Sequence, residues 1–324
     1  MNNFPSSLGA HCRGKVRDTF KIERDKMLII TSDRISAFDI VLNPGIPGKG
    51  IVLMQISNFW MQLMNFPNHL IDTDIDSLAK VYPDLAQYKE YLRNRIALVK
   101  RLDMLPVEVI VRGYLTGSAL NEYNVETGML FGLDHYVGKN LIPQSKLPAP
   151  IYTPTTKAEQ GQHDQPLSRC DAADICGAYG FSSEISYEVE DAAIDMFASA
   201  SNYMLKNGLI LADTKYEFGT DENGVLVLGD EILTPDSSRF WESDDYERAI
   251  QNNTAPKSYD KQPVRDYLTA EKKAGRWDGK SQPTLPDEVV SETRSRYIEA
   301  YLKIAGEDFN PSATMQLLMG GRGR

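Results

Sequence analysis

Asp213-Thr-Lys-Tyr-Glu-Phe-Gly219, followed a short turn later by Leu228-Gly-Asp-Glu-Ile-Leu-Thr-Pro-Asp-Ser-Ser-Arg239, is the most informative stretch of this 324-residue chain. The pattern predicts a strand, a tight turn and a second strand. Because alternate side chains of a strand share one face, we expect Asp213, Lys215 and Glu217 to project together. The sequence therefore places two carboxylates and a lysine on the same face of one strand.

The turn between these strands contains Asn223-Gly224, which is the strongest short signal for a hairpin. A two-residue loop at this position sets a register that places Glu217 opposite Asp230, with Cβ atoms about 5 Å apart. Two carboxylates at that distance repel each other unless a cation lies between them, and Mg²⁺ prefers oxygen ligands, waters and substrate phosphates. With Lys215 on the same face, the hairpin favours a metal-and-phosphate site over a solvated hairpin with ordinary surface charges.

The composition is that of an ordinary globular protein, with 42% hydrophobic and 25% charged residues. The net charge of −10 argues against a general binder of nucleic acid or of anionic membranes, whose footprint is usually basic. No apolar run approaches the ~20 residues that a membrane helix needs, and the N-terminus lacks the layout of a signal peptide. The three cysteines fit neither a disulfide framework nor a zinc site. We expect a cytoplasmic protein with no nucleic-acid and no membrane partner.

Hydrophobic periodicity predicts a mixed α+β fold. Segments of strand length flank a polar turn at Val16–Ile22 and Met27–Thr31, which predicts a hairpin. The segment 241–280 is polar and is expected to be mostly irregular. Helical spacing of apolar residues predicts helices over Ile51–Asn65, Ile185–Met204 and Val289–Ala305. The absence of a repeated βαβ rhythm argues against a doubly wound sheet.

A domain boundary is expected near residue 105. Two apolar runs of strand length, Ile96–Arg101 and Val107–Val111, are joined there by a short connection. The division gives a β-rich lobe over residues 1–105 and an α+β lobe over residues 106–324. A crossing between two lobes is a common place for a ligand cleft.

Four further segments carry residue types that bind anions. Gly14-Lys-Val-Arg-Asp18 places two basic side chains on one face of a hairpin, and Thr31–Asp39 collects polar residues at the end of a strand. Arg112–Ser118 leads through a Gly-containing turn to a helix N-terminus, with Ser118 as its predicted cap, and Thr234–Arg239 combines hydroxyls with a guanidinium. Each segment alone is also compatible with a turn, a cap or a solvated surface. Together with the carboxylate pair, they favour a phosphate site.

Other chemistries find no support in the sequence. The four histidines are scattered and form no His-Glu-x-x-His motif. A Gly-x-Ser-x-Gly nucleophile elbow is absent. Cys176 is expected to be a small buried residue rather than a nucleophile.

Six motifs in chain order resemble those of the phosphoribosylaminoimidazole-succinocarboxamide synthase (SAICAR synthetase) family. They are Gly14-Lys-Val-Arg-Asp18, Ser32-Asp-Arg-Ile-Ser-Ala-Phe-Asp39, Gly45-Ile-Pro-Gly-Lys-Gly50, Arg112-Gly-Tyr-Leu-Thr-Gly-Ser118, Asp213-Thr-Lys-Tyr-Glu-Phe-Gly219 and Gly229-Asp-Glu with Thr234-Pro-Asp-Ser-Ser-Arg-Phe-Trp241. Any one of these motifs is weak, but six in order are a strong signal that covers most of the chain.

The resemblance implies ATP-dependent ligation of L-aspartate to the carboxylate of carboxyaminoimidazole ribonucleotide (CAIR) through an acyl phosphate, a step of de novo purine biosynthesis. It also implies a two-lobed fold akin to ATP-grasp enzymes, with antiparallel sheets, flanking helices and ATP between the lobes. The segment Thr153–Asp164 and a C-terminal helical extension are similar to the longer, single-function form of the family. The implied co-substrate is ATP, the implied metal is Mg²⁺, and the protein is expected to be a monomer or a small homo-oligomer.

The resemblance also assigns roles to residues. The nucleotide-binding positions are Gly14, Lys15, Arg17 and Lys157. The metal-binding positions are Glu217 and Asp230, and the catalytic positions are Asp213 and Lys215, where the lysine would neutralise charge on the transferring phosphoryl group. The substrate-binding positions are Asp33, Arg34, Ser36, Arg112, Ser118, Asp164, Ser237, Ser238, Arg239 and Arg265.

Two other functions are compatible with the same residue types. A small-molecule or inositol-phosphate kinase would share the carboxylate pair and the basic strand, but it would need a general base near an acceptor hydroxyl. A nucleotide-binding regulatory module would bind the same phosphates without turnover. Aspartate-dependent product formation separates the ligase from both alternatives.

Overall fold

The computed structural model describes residues 8–131, 135–157 and 164–305. Within these ranges the chain divides into two compact units. The first unit contains the described residues up to Leu102, the segment Thr234–Asp236 and the described residues from Asp260 onward, and the second contains Asp103–Leu233 and Ser237–Tyr259. The boundary expected from the sequence places the last helix in the second lobe. In the structure this helix lies in the first unit, because it packs there on the long helix that begins at Lys49.

Both units mix helices with antiparallel strands, so the α+β prediction is confirmed. The strands are β1 (Ala10–Arg13), β2 (Arg17–Lys21), β3 (Lys26–Thr31), β4 (Ile35–Ala37), β5 (Ile40–Leu42), β6 (Leu70–Asp72), β7 (Ile96–Lys100), β8 (Asp103–Met104), β9 (Val107–Tyr114), β10 (Tyr123–Asn124), β11 (Met129–Leu130), β12 (His135–Tyr136), β13 (Lys146–Tyr152), β14 (Thr155–Thr156), β15 (Leu209–Thr220), β16 (Leu226–Gly229) and β17 (Ser238–Glu242). The α-helices are α1 (Lys49–Leu63), α2 (Ile75–Val81), α3 (Lys89–Leu92), α4 (Ala119–Glu122), α5 (Arg169–Ala178), α6 (Ile185–Lys206), α7 (Ser243–Gln251), α8 (Gln262–Lys273) and α9 (Asp287–Ala305), and a 3-10 helix spans Pro83–Tyr88.

The first unit is built on an antiparallel sheet of five strands in the order β1-β2-β3-β7-β6. The predicted hairpin is confirmed, because Arg17 in β2 pairs with Thr31 in β3. Phe20 and Ile30 are buried in one cluster with Leu78 of α2. The turn between β1 and β2, which carries the first basic motif, is therefore attached to a packed sheet.

The three helices predicted from apolar spacing are confirmed as α1, α6 and α9. The prediction that residues 241–280 are mostly irregular is wrong, because the helices α7 and α8 both lie in this segment. Helix α8 buries only Val264 and Leu268, one turn apart. Such a narrow apolar stripe gives a weak periodic signal in the sequence. Within the described residues, the helices lack the continuous apolar length that a bilayer crossing requires.

The long strand β15 organises the second unit. Its residues 209–214 pair with β17, residues 213–216 pair with β9, and residues 217–220 pair with β16 and β8. Helix α6 packs closely on one face of this sheet, since a Cβ atom on Gly113 of β9 would lie 3.1 Å from the ring of Phe197. Helix α6 therefore covers the face of the sheet to which Gly113 belongs, and the side chains that alternate with it project from the opposite face.

The hairpin of β15 and β16 exists, but its predicted register is wrong by one residue. Glu217 pairs with Gly229 rather than with Asp230. The loop has three residues, because the N–H of Asp221 donates to the carbonyl of Val225 (3.0 Å) and Gly224 takes a φ of 77°. A left-handed glycine at the end of a three-residue loop is a common hairpin geometry. Asp230 lies just beyond β16 with a φ of 57°.

Candidate active site

One side of the β9–β15–β17 sheet carries a row of ionised side chains. The charged face, as we call it, consists of Glu108 and Arg112 of β9, Asp213, Lys215 and Glu217 of β15, and Arg239 of β17. The predicted sharing of one face is confirmed for β15, because Lys215 contacts Glu217 (Nζ–Oε1 3.9 Å) while the intervening Tyr216 is fully buried. Strand alternation thus separates the charges from the apolar face that α6 covers.

Asp213 lies between two arginines. It pairs directly with Arg112 on one neighbouring strand and with Arg239 on the other. Its Oδ2 atom accepts a hydrogen bond from Nη1 of Arg112 at 3.1 Å and also contacts Nη1 of Arg239. The Asp213 side chain is only 6% exposed. A single buried carboxylate therefore holds two guanidinium groups side by side that would otherwise repel each other.

The guanidinium of Arg112 is buried and donates its hydrogen bonds to other groups of the protein. Its Nε donates to Thr153 Oγ1 (2.9 Å), and its Nη2 donates to Ser118 Oγ (3.0 Å). Burial lowers the pKa of the Arg112 guanidinium, and the positive charge of Arg239 acts in the same direction, whereas Asp213 opposes the shift. The Ser118 hydroxyl, predicted to cap a helix, bonds Arg112 and makes no cap bond in the four-residue α4.

Arg239 is the more accessible of the two arginines, with 24% of its side chain exposed. Its guanidinium lies against Gly117, whose φ is 62°. A Cβ atom at Gly117 would come within 2.7 Å of both Nη atoms. The glycine therefore allows the turn after β9 to lie close against the guanidinium.

The other half of the charged face centres on Lys215. Its Nζ donates to Glu108 Oε1 at 2.6 Å, and Glu217 in turn accepts from Lys157 Nζ at 3.0 Å. Burial by itself would lower the pKa of the Lys215 ammonium, but the attraction of Glu108, Glu217 and Asp230 outweighs it and the net pKa is raised. Lys215 is therefore a fixed positive charge rather than a base.

Glu108 is a member of this cluster that the sequence reasoning missed. Burial raises the pKa of its carboxyl, Lys215 opposes that shift, and the charges of Asp164 and Glu217 add to it. A signal was present in the sequence, since Glu108 is the single ionised residue inside the apolar run Val107–Val111. Its contact with a lysine more than a hundred positions away depends on strand pairing, which the run itself does not reveal.

The predicted metal ligands Glu217 and Asp230 both lie close to Lys215, because both contribute to its raised pKa. No cluster of three or more His, Cys, Asp or Glu side chains suited to a metal occurs in the described ranges. A pair of carboxylates is sufficient for Mg²⁺, because this ion usually binds one or two protein carboxylates and completes its coordination shell with waters and phosphates. The donor chemistry therefore fits the expected ion, although Glu217 is already paired with lysines.

In the first unit, the basic motif and the Thr31–Asp39 segment meet. Lys15 Nζ contacts Asp39 Oδ1 at 2.6 Å, with both side chains about 40% exposed. Asp33 accepts from the backbone N–H groups of Gly48 (3.2 Å) and Gly50 (2.9 Å) at the start of α1. Arg34 bonds the turn that carries Lys15. Two of the three predicted substrate contacts in this segment thus bind the protein's own loops.

The remaining predicted residues are spread over the two units. Ser36 lies in β4 opposite Val41, and Arg265 contacts the buried Asp260 (3.5 Å), both in the first unit. Ser238 pairs with Thr214, and its hydroxyl lies 2.7 Å from the Thr214 hydroxyl on the covered side of the sheet. Strand alternation therefore separates Ser238 from Arg239. Of the segment Thr153–Asp164, residues 158–163 lie outside the described residues.

Arginine and lysine side chains held by carboxylates on one face of a sheet suit the binding of phosphate groups and the stabilisation of developing negative charge. The chain belongs to the SAICAR synthetase family, whose model matches residues 10–299. The enzymes of this family are ligases of purine biosynthesis.

Individual relatives agree with this assignment. The chain is 42% identical over 299 residues to the phosphoribosylaminoimidazole-succinocarboxamide synthase of Corynebacterium ammoniagenes, covering 91% of this chain and 94% of the relative. It is similar to the solved structure of SAICAR synthase from Saccharomyces cerevisiae complexed with SAICAR, with a TM-score of 0.78, 37% identity and coverage of 94% and 98%. A solved SAICAR synthetase in complex with ADP shares the fold at a TM-score of 0.63 and 24% identity, with coverage of 92% and 98%.

Proposed function

We propose that this protein catalyses the ATP-dependent ligation of L-aspartate to CAIR, giving SAICAR, ADP and phosphate. The observation that carries the proposal is the family match over residues 10–299 together with the charged face that the matched motifs build. The relative from yeast whose structure is complexed with SAICAR supports the same substrate class.

In the second unit, the charged face has two parts with different tasks. The Arg112–Asp213–Arg239 row binds the ribonucleotide phosphate, chiefly through the exposed part of Arg239. Ser118 follows Arg112 closely in the chain, and Ser237 precedes Arg239 by two positions. Arg112 acts indirectly by fixing the position of Asp213, because its own N–H groups donate to Thr153, Asp213 and Ser118 within the protein. A guanidinium pre-set by a carboxylate loses little freedom when it binds a phosphomonoester.

The Lys215 part carries the phosphoryl chemistry. Lys215 remains protonated and stabilises the negative charge that develops on the transferring phosphoryl group. Glu217 and Asp230 would hold Mg²⁺, which when bound neutralises the phosphate oxygens of ATP. Lys157 is a nucleotide contact in the same unit. Its present bond to Glu217 keeps the carboxylate charge compensated until a ligand replaces it.

In the first unit, Gly14, Lys15 and Arg17 bind the triphosphate of ATP. Lys15 is the residue best placed for this in the described structure, since its ammonium is partly exposed and contacts only a surface carboxylate. An exposed ion pair contributes little stability. A phosphate can therefore replace Asp39 as the partner of Lys15 at small cost.

The reaction needs positioning and charge stabilisation rather than a protein nucleophile. The CAIR carboxylate is a poor electrophile, so its oxygen attacks the γ-phosphorus of ATP to give an acyl phosphate and ADP. The amine of L-aspartate then attacks the acyl carbon, and phosphate leaves with the former carboxylate oxygen. Fixed cations and oriented substrates account for most of the acceleration in such transfers.

A coupled ADP-release assay with CAIR, with and without L-aspartate, tests the proposal. We expect sustained ADP release only when both substrates are present, with one SAICAR formed per ADP. Phosphorylation of an added alcohol in place of aspartate ligation would show a kinase instead. Nucleotide binding without any turnover would show a regulatory module.

A further inference from the structure

The guanidinium of Arg34 is bonded on all three nitrogens to one small part of the first unit. Its Nη2 donates to the carbonyl of Gly14 (3.1 Å), and its Nε donates to the carbonyl of Lys15 (3.2 Å). Its Nη1 donates to Asp18 Oδ2 (2.9 Å). Arg34 thus binds both ends of the turn between β1 and β2.

Ser32 completes this set of bonds. Its hydroxyl donates to the carbonyl of Val16 at 2.7 Å, and its backbone N–H donates to the same carbonyl at 3.0 Å. The backbone N–H of Arg34 donates to the Ser32 hydroxyl at 3.3 Å. The carbonyls of three consecutive residues, Gly14, Lys15 and Val16, therefore all accept hydrogen bonds from one short segment.

The geometry of Arg34 differs from that of a residue waiting for a ligand. Only 20% of its side chain is exposed, and its carboxylate partner Asp18 is 10% exposed and also contacts His11 at 3.2 Å. Lys15 has 40% of its side chain exposed. A guanidinium with each nitrogen already donating has few N–H groups left for a substrate. The side chain that can reach a ligand from this turn is Lys15.

We propose that Arg34, assisted by Ser32, is a positioning residue that fixes the β1–β2 turn so that Lys15 is presented to the nucleotide. This inference rests on the proposed function in one respect, namely that Lys15 binds ATP. The resemblance implies that Arg34 contacts a substrate directly. In this proposal Arg34 instead affects the affinity for the nucleotide, through the position of Lys15.

The chemistry requires arginine at this position. The planar guanidinium presents its donors as a rigid fork that spans two carbonyls and a carboxylate, whereas a lysine ammonium is a single point charge on a flexible stem. Arg34→Lys should therefore behave like Arg34→Ala, although it keeps the charge. A residue that acted only through its charge would be rescued by lysine.

The test measures ADP binding by calorimetry and the KM values for ATP, CAIR and L-aspartate in Arg34→Ala, Arg34→Lys and Lys15→Ala. Arg93→Ala is the matched control, since Arg93 is an arginine of the same unit in an exposed pair with Asp76. We expect both Arg34 variants to weaken ADP binding and raise the ATP KM about tenfold or more, with the CAIR and aspartate KM values changed less than about threefold. The control should match the wild type.

The double variant Lys15→Ala with Arg34→Ala separates positioning from an independent contact. If Arg34 acts through Lys15, removing it in the Lys15→Ala background has little further effect on ADP affinity, so the two effects are not additive. Additive losses, a change confined to the CAIR or aspartate KM, or rescue by lysine would each overturn the proposal.

Thermal melting of each variant identifies one that fails to fold, and Ser32→Ala, which removes one hydroxyl, then provides the same comparison with a smaller expected change. Failure of the wild type to form SAICAR would refute the proposed function, while its ADP binding still tests Arg34.

Discussion

At the scale of single residues, Glu217 contacts both Lys157 and Lys215 and is one of the two predicted metal ligands. We predict that Glu217→Gln and Asp230→Asn each lower kcat about 100-fold or more, because a neutral amide binds Mg²⁺ poorly and leaves phosphate charge uncompensated. Steady-state rates over a range of Mg²⁺ concentrations check this, with at most partial rescue at high Mg²⁺. Glu222→Gln in the exposed hairpin loop is the matched control. Full activity of both site variants would remove these carboxylates from the mechanism.

Gly117 offers a second prediction at this scale. In Gly117→Ala the new methyl would lie 2.7 Å from the Arg239 guanidinium and push it away from Asp213. We expect the CAIR KM to rise about tenfold, which corresponds to loss of one charged hydrogen bond, with little change in the ATP KM. Gly224→Ala is the control, because Gly224 also has a positive φ but no atom within 4 Å of the added carbon. Equal effects of both changes on the two KM values would mean that backbone strain alone is responsible.

The sequence predicts single residues well where they share one strand. Alternation alone places Lys215 and Glu217 together, and the structure confirms it. Contacts between strands are harder to predict from the sequence, since Glu108 reaches Lys215 only through the pairing of β9 with β15. The buried contact of Lys49 with Asp236 (2.7 Å) also joins segments far apart in the chain, and nothing near either residue in the sequence indicates it.

At the scale of elements, the hairpin of β15 and β16 shows why register is hard to predict. Asn-Gly favours a two-residue loop, but the side chain of Asp221 accepts from the N–H groups of Asn223 (2.9 Å) and Val225 (3.0 Å). Such side-chain bonds stabilise the three-residue loop and move the pairing by one position. The geometric argument for opposed carboxylates was therefore wrong, although both carboxylates still lie near Lys215.

The joint between α1, α9 and the segment Thr234–Asp236 gives a prediction about stability. Asp236 accepts from Tyr297 (2.5 Å) and contacts the fully buried ammonium of Lys49. Burial by itself would raise the pKa of Asp236, but the charges of Lys49 and Lys261 and the bond from Tyr297 hold it well below its usual range. Asp236→Asn leaves a buried charge unpaired and should lower the free energy of unfolding by about 3–5 kcal/mol. Tyr297→Phe should cost about 1 kcal/mol.

Urea unfolding of the two variants measures the difference. Arg93→Ala, which breaks a surface ion pair in the same unit, should leave the free energy of unfolding unchanged. If Tyr297→Phe costs as much as Asp236→Asn, the buried charge is not the source of the effect. A negligible change in Asp236→Asn would contradict the account of this joint.

At the scale of the whole molecule, Lys215 sets an expected pH dependence of stability. Its pKa is raised above the ordinary value of 10.5, so its pairing stabilises the folded state fully below pH 10.5 and is lost as the pH rises through the folded value. The difference in free energy of unfolding between the wild type and Lys215→Met should therefore stay constant from about pH 7 to 9 and shrink above about pH 10.5. The exposed Lys80→Met is the control. A difference that already declines between pH 7 and 9 would mean that Lys215 titrates there and acts as a base.

The central claim is that the CAIR carboxylate is activated by ATP before aspartate attacks it. The most direct measurement uses CAIR labelled with ¹⁸O in its carboxylate, with mass analysis of the phosphate released during turnover with ATP and L-aspartate. The account predicts one labelled oxygen in each phosphate, because the acyl phosphate transfers a carboxylate oxygen to the leaving group. Unlabelled phosphate released together with SAICAR would contradict it.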